Sequence, residues 1–309
     1  MLYNNKFFRF INQNRNLIIF IIIICAFIVF LIRSLNGILG NSNKSEENTI
    51  ETDNTSKVIE DSKKSVISNT TLDTETATNN YNIIDNFVDL CNKNNINEAY
   101  NLLSEECKKN LYPNVDTFEE NYVNVVFKNK ITIDVKNWMK NSNFTTYLVT
   151  YAGDMLSTGN VDSKKFQDYI TIDTNEQKLN INKYIGRINK NDETEVENIK
   201  FTVNYVDIYK DYEIYNIKIE NKNNNEIILD NLNSVSSTYI ETSEDTQINC
   251  SNFEAGKISF QYRPGMAKEI NLKFIKQYNP EINDKNIVFS SAILDTNNME
   301  NTQKIKIEL

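Results

Sequence analysis

The sequence predicts a multi-domain chain: one N-terminal transmembrane helix, an α+β domain, and then an all-β sandwich. Three observations carry that expectation. Leu17–Ile32 (LIIFIIIICAFIVFLI) has no polar side chain. From Tyr81 the apolar residues recur at steps of three and four, which is the helical period. From Ile131 onward they alternate, the period of a strand with one buried face.

Composition narrows the function classes. The chain has 309 residues and a formal net charge of −9, enough length for one large domain or two ordinary ones. Its basic residues are scattered among more numerous acids, so it lacks the basic face that a nucleic-acid partner needs. There is no histidine, which removes Ser-His-Asp and Cys-His catalysis, His-ligated zinc and imidazole acid–base chemistry. Of the four cysteines, Cys25 lies in the apolar run and no CxxC pair occurs, so zinc-ribbon and thioredoxin-like readings fail. Cys91, Cys107 and Cys250 read as free, mostly buried thiols. No cofactor and no metal ion are expected.

The run Leu17–Ile32 makes a helix of about 24 Å, against the roughly 20 residues that span a hydrocarbon core. Arg33 can snorkel and Leu35–Leu39 extends the helix, so the span is read as 17–39, with Leu17, Ile24, Cys25, Phe30 and Ile32 inside the bilayer. Lys6, Arg9 and Arg15 precede it, and Lys44 after it is offset by Glu46 and Glu47. The positive-inside rule therefore places 1–16 as a cytoplasmic tail and everything after the span outside. Ile38-Leu39-Gly40 is a poor cleavage site, which favours a single-pass signal-anchor in the cell membrane over a cleaved leader. Residues 40–80 are rich in Asn, Ser, Thr and acids and have no aromatic side chain, the composition of a disordered linker.

Residues 81–188 form the expected α+β domain. Ile83, Ile84, Phe87, Val88 and Cys91 share one helical face, and Asn94-Asn95 ends that helix. Ile96, Ala99, Tyr100, Leu103, Cys107 and Leu111 predict a second helix, closed before Pro113. Asp116-x-x-Glu119 predicts a capping box opening a third. Alternation then predicts strands at 131–135, 147–151, 166–172 and 179–185. Trp138, Tyr147 and Tyr151 are the candidate pocket-lining residues, with core packing as the alternative. Asp134, Asp154 and Asp168 read as solvated carboxylates.

The stretch NIIDNFVDLCNKNNINEAYNLLSEECKKNLYPNVDTFEENY, followed by strands ending at KLNINKYIG, resembles the bacterial extracytoplasmic members of the NTF2-like superfamily. That resemblance implies helices wrapped on a curved sheet to form a cone. Its enzymes carry a general base inside the cone, and its other members are scaffolds. The order of tail, span, linker and NTF2-like domain is similar in layout to VirB8-type scaffolds.

Residues 196–309 predict seven to nine short strands, including Phe201–Tyr205, Tyr215–Ile219, Ile258–Tyr262, Ile270–Phe274 and Ile305–Leu309. Turns fall at Asn221–Asn225 and Arg263-Pro264-Gly265. That pattern resembles an immunoglobulin-like β-sandwich without the Cys…Trp…Cys hallmark. The clusters Asp207/Asp211/Glu213 and Glu241/Glu244/Asp245 read as solvated turns.

With no catalytic constellation in view, the sequence predicts a non-enzymatic, membrane-anchored extracytoplasmic binding or assembly protein. Its expected partners are the lipid bilayer and other extracytoplasmic or membrane proteins. The alternatives are a ligand-binding or enzymatic pocket in 81–188, and a structural spacer or adhesin acting through the C-terminal sandwich.

Overall fold

Helix α1 (Thr74–Asn92) starts earlier than the periodicity from Tyr81 indicates, because the Asp73 carboxylate accepts the Thr76 backbone N–H at 2.8 Å and so satisfies one of the free donors of the first turn. The computed structural model describes residues 63–67, 70–153, 166–230 and 236–309, which belong to one compact unit. Part of the segment expected to be a disordered linker is thus folded. Leu72 is buried, Lys64 bridges Thr71, and the Val66 and Ile67 amides both donate to the Trp138 carbonyl at 3.1 Å.

The second expected helix is two. α2 (Ile96–Asn101) and α3 (Glu105–Leu111) are separated where Leu103 forms a parallel bridge with Leu179. Ser104 restarts the helix by accepting the Cys107 amide, with Glu105 and Glu106 favourably placed in the first turn. The next helix opens at Asn114, not at Asp116: the Asn114 side chain accepts the Thr117 amide at 2.8 Å. It runs as α4 (Val115–Phe118), a π-helical turn at Glu119–Val123, and α5 (Asn124–Val126).

These helices pack on an antiparallel sheet ordered β1 (Ile131–Lys140), β2 (Phe144–Gly153), β3 (Phe166–Asp173), β4 (Leu179–Asn180). Ile84, Phe87, Phe118, Tyr122, Tyr147 and Tyr151 fill the space between helices and sheet. Each fully buried side chain of this size contributes about 1.5–3 kcal/mol. The interior of the expected cone is occupied by these rings.

The strand expected over 179–185 divides at Asn182-Lys183, where both residues have positive φ (57° and 64°). Beyond that turn the chain leaves the first sheet. β5 (Tyr184–Val196), β6 (Ile199–Tyr209) and β7 (Glu213–Asn221) form a meander, and β12 (Ala267–Phe274) pairs with β7. Gly186 on β5 faces the ring of Phe144; a Cβ there would lie 2.5 Å from Cζ, so this position admits only glycine.

The facing sheet is built from β8 (Ile227–Ile228), β9 (Thr238–Thr242), β10 (Gln247–Asn249), β11 (Gln261–Tyr262), β13 (Asp284–Ile293) and β14 (Thr302–Glu308). Its order is β10-β9-β13-β8-β11, with β14 also pairing β13. A short helix α6 (Asn252–Ala255) leads toward β11. Phe201, Ile217, Ile219, Leu272, Ile287, Phe289 and Ile305 are among the residues packed between the two sheets.

This arrangement corrects the expected fold class. An immunoglobulin-like sandwich places its second and third strands on different sheets, whereas β5, β6 and β7 are consecutive neighbours on one sheet. The strand Tyr184–Val196 also runs through the interval between the two expected modules. Among the described residues, no helix is long and apolar enough to cross a membrane. The span expected over 17–39, with Leu17, Ile24, Cys25, Phe30 and Ile32, lies outside the described residues. Among the described residues, therefore, nothing supports a single-pass, membrane-anchored extracytoplasmic protein with a cytoplasmic N-terminus and the bilayer as partner, and that expectation is corrected to this extent.

Candidate functional site

Glu213 opens β7 on the same face as Tyr215, Ile217 and Ile219, the face turned toward the sandwich interior. A carboxyl at that position is buried, with 5% of the side chain exposed. Two cross-strand rows surround it. Glu213 pairs with Ile208, which pairs with Gly186; Tyr215 pairs with Val206, which pairs with Ile188. Ile188, Val206 and Ile208 form the apolar floor of a cavity of about 360 Å³ at this end of the sandwich.

The other wall comes from elsewhere in the chain. The segment 275–283 straps across from β12 to β13 and carries Lys276, Tyr278, Asn279 and Ile282 to the cavity. Asp284, the first residue of β13, approaches from the facing sheet. Lys276 Nζ lies 2.6 Å from each Asp284 oxygen and 3.0 Å from Glu213 Oε2. The Tyr215 hydroxyl donates to Asp284 Oδ2 at 2.6 Å. One sheet supplies Glu213, the other Asp284, and the strap supplies the ammonium between them.

Burial pushes the Glu213 carboxyl up to about 8; the neighbouring Asp284 charge and a hydrogen bond toward Asp284 add to this, while Lys276 opposes it. The Tyr215 hydroxyl is raised well above its ordinary value, first by burial and then by the two carboxylates. A smaller cavity of about 100 Å³ lies beside the first, sharing Lys276, Asn279 and Ile282 and adding Thr242, Glu244 and Ile248.

The sequence-derived candidates lie apart from this cavity. Trp138, Tyr147 and Tyr151 are all buried. Trp138 packs edge-on against Tyr169 at 4.9 Å, in the core shared with the sandwich. Tyr147 Oη accepts from Asn80 Nδ2 at 3.0 Å, and Tyr151 Oη lies 3.0 Å from Tyr122 Oη, both in the helix-facing core. Asp168 is buried rather than solvated. It accepts the Tyr122 hydroxyl at 2.7 Å and the Asn182 and Lys183 amides at 2.9 and 3.0 Å, so it fixes the turn between the sheets. Asp134 is exposed beside Lys136, and Asp154 lies outside the described residues.

Asp207 and Glu213, read from sequence as a solvated turn, are both buried; Asp207 is held by Arg187 at 2.7 Å. The available signal was alternation: Glu213 continues the series Tyr215, Ile217, Ile219 by one step. Cys91, Cys107 and Cys250 are free and buried, and burial raises each thiol to about 12, which leaves them protonated and unreactive. Among the described residues, no group of three or more Cys, Asp or Glu is placed to hold a metal ion.

No protein-family model and no curated protein matches the chain. Among solved structures, the yjhA protein from Bacillus subtilis is 15% identical, with 39% of this chain and 98% of that one covered and a TM-score of 0.31. A conserved hypothetical protein from Bacillus anthracis is 13% identical, with 38% and 95% covered and a TM-score of 0.24. Likeness at that level carries no argument about this chain. The NTF2-like, immunoglobulin-like and VirB8-type resemblances are therefore corrected: the comparisons hold no support for them, and the filled cone and strand order speak against the first two.

Proposed function

We propose that this chain is a non-catalytic binding protein whose ligand is a small molecule held between the apolar floor of Ile188, Val206 and Ile208 and the charged wall of Glu213, Lys276 and Asp284. The observation that carries this reading is the position of the charged wall. Burying an ion costs several kcal/mol, and hydrophobic residues of similar volume would stabilise the fold at least as well. Here the three charges line a cavity instead of filling the core. A concave hollow in which apolar side chains meet convergent polar groups is a form that small-molecule sites take, and a strongly perturbed carboxyl within it strengthens the reading.

Thermal-shift and two-dimensional NMR screens of the full-length chain against a library of small amines, alcohols, carboxylates and sugars test it. The expected result is a set of compounds that raise the unfolding midpoint and shift resonances of Ile188, Ile208 and Tyr278. Ile188→Trp, which fills the floor, removes both effects; Asn283→Trp at the exposed rim does the same should the first variant fail to fold. Compounds that bind both variants as well as wild type, or a library without any such compound, overturn the proposal.

A further inference from the structure

We propose that the clasp is self-reactive: Lys276 Nζ and Asp284 Cγ condense to an amide with loss of water, and Glu213 carries the proton. Geometry singles out this pair. Lys276 Nζ lies 2.6 Å from both Asp284 oxygens, inside the about 2.7–2.9 Å of an ordinary charge-assisted bond. Equal distances to the two oxygens put Nζ about 3 Å from the carbon between them, the separation of a near-attack pair. The terminal torsion of an aspartate is soft, so the face of the carboxyl can turn to the nitrogen.

Burial sets the pair apart from the rest. The Lys276 side chain is 11% exposed, Asp284 6% and Glu213 5%. In every other lysine ion pair among the described residues, one side chain is close to half-exposed or more. The buried pair of Arg187 and Asp207 is closed to this chemistry, because a guanidinium is not deprotonated in proteins. A desolvated lysine amine is a competent nucleophile. Condensation also replaces two buried ions with one neutral amide and so removes the cost of holding them out of water. Well-oriented partners within one molecule react as though at effective concentrations of about 10⁵–10⁸ M, which favours the amide over the separate groups.

The reaction balances within the clasp. Glu213 Oε2, 3.0 Å from Nζ, takes one ammonium proton and passes a proton on to Asp284, leaving a neutral amine beside a neutral carboxylic acid. Burial raises the Glu213 carboxyl to about 8, the range in which a group both takes and gives a proton near neutrality. The Nζ lone pair then forms the bond to Cγ, and the C=O electron pair moves to oxygen. The Tyr215 hydroxyl, 2.6 Å from Asp284 Oδ2, donates to that oxygen. A second proton passes from the nitrogen through Glu213 to the Asp284 hydroxyl, the C–O bond breaks, and water leaves into the cavity that all three side chains line. One ammonium and one carboxylate have become one amide and one water, and Glu213 ends as it began. Lys190 lines the same cavity, but Lys276 is the lysine paired with Asp284. The amide fastens the start of the strap to β13, so this wall of the cavity cannot lift away. Until it forms, the wall carries its three charges; the apolar floor is the same in both states, and the bond does not depend on a ligand.

Peptide mapping of the full-length chain by mass spectrometry tests the cross-link. Trypsin cuts an unlinked chain after Lys276, giving peptides 274–276 and 277–285. The expected result is instead one peptide, 274–285, lighter by one water. Further cleavage after Glu281 should leave its halves, 274–281 and 282–285, joined; water lost within either half alone would let them separate and overturns the bond. Glu213→Gln should lower the linked fraction more than about tenfold, and Lys276→Arg should abolish it. Should the glutamine variant fail to fold, the wild-type digest decides alone, and peptides 274–276 and 277–285 without any linked form overturn the proposal. A link from Lys276 to Glu213 overturns the choice of Asp284. Equal linkage in Glu213→Gln overturns the proton-carrying role and leaves the bond standing. An unlinked clasp leaves ligand binding untouched, since the compound screen reads that separately.

Discussion

Asn141 Nδ2 donates to the Tyr278 hydroxyl at 2.9 Å, joining residues 137 positions apart in the chain. Asn141 sits in the turn between β1 and β2, and Tyr278 is in the strap over the cavity. The Tyr278 amide also donates to the Lys210 carbonyl at 2.8 Å. The strap is thus anchored at its centre to the turn between β1 and β2 and to the turn between β6 and β7, while Lys276 and Asp284 fix it beside the cavity.

Asn141→Ala removes the bond to Tyr278 and the two that its Oδ1 accepts from the Asn143 and Phe144 amides, and is expected to cost about 1–3 kcal/mol of stability. Its clearer effect is local: hydrogen exchange of 275–283 should accelerate while β6 and β7 keep their protection. Acceleration spread evenly over the sandwich would show that the strap is not held at this point.

Glu213→Gln should change how stability depends on pH. A carboxyl raised in the folded state keeps the proton that the unfolded chain releases from its ordinary value near 4.5 upward. The folded state then binds more protons, so stability falls as pH climbs from about 4.5 to about 8 and levels off above. Relative to the glutamine variant, wild type should lose a few kcal/mol across that window, at up to about 1.4 kcal/mol per pH unit. Urea denaturation of both proteins at about pH 5 and about pH 8.5 reads the difference. Parallel pH profiles for the two would show that Glu213 titrates normally.

Lys276→Met leaves Glu213 and Asp284 facing one another without a counter-charge. Loss of one partner from a buried ion cluster costs about 3–5 kcal/mol. The cost should be greatest at alkaline pH and smaller near pH 5, where the carboxyls can protonate. Guanidinium unfolding midpoints at the two pH values check this. An equal loss at both would make the role of Lys276 one of packing.

Asp168→Asn should destabilise the joint between the two sheets. The carboxylate accepts four bonds, from the Tyr122 hydroxyl and the Tyr169, Asn182 and Lys183 amides. An amide can accept on one end only, so at least one buried donor loses its partner, at about 1–3 kcal/mol. Chemical-shift changes should concentrate at Asn182, Lys183 and Tyr122. Their absence, with unchanged stability, would show that the turn holds itself.

Much of the strand content was legible because alternation is a local property. Tyr215, Ile217 and Ile219 alternate in sequence and share one face in the structure. The sheet assignment was not legible. The turn at Asn182-Lys183 depends on Asp168, and nothing local marks those two residues as the point where one sheet ends. The break between α2 and α3 likewise depends on Leu103 meeting Leu179. Glu213 was within reach of the alternation argument, yet an acidic residue beside Asp211 reads as solvent-facing until its distant partners are known. Tyr215 and Asp284 are 69 positions apart, and no spacing rule connects them.

The charged clasp has a consequence for the order of folding. Its members come from one sheet, from the opposite sheet and from the segment crossing between them. Contacts of such long sequence separation form late, after the closure of the intervening loops. A nascent chain that has emerged only as far as β12 holds Glu213 without either partner, in a half-built pocket that recognises nothing. The clasp is therefore completed in a single late step, and the appearance of its ion pairs during refolding would time the docking of the two sheets.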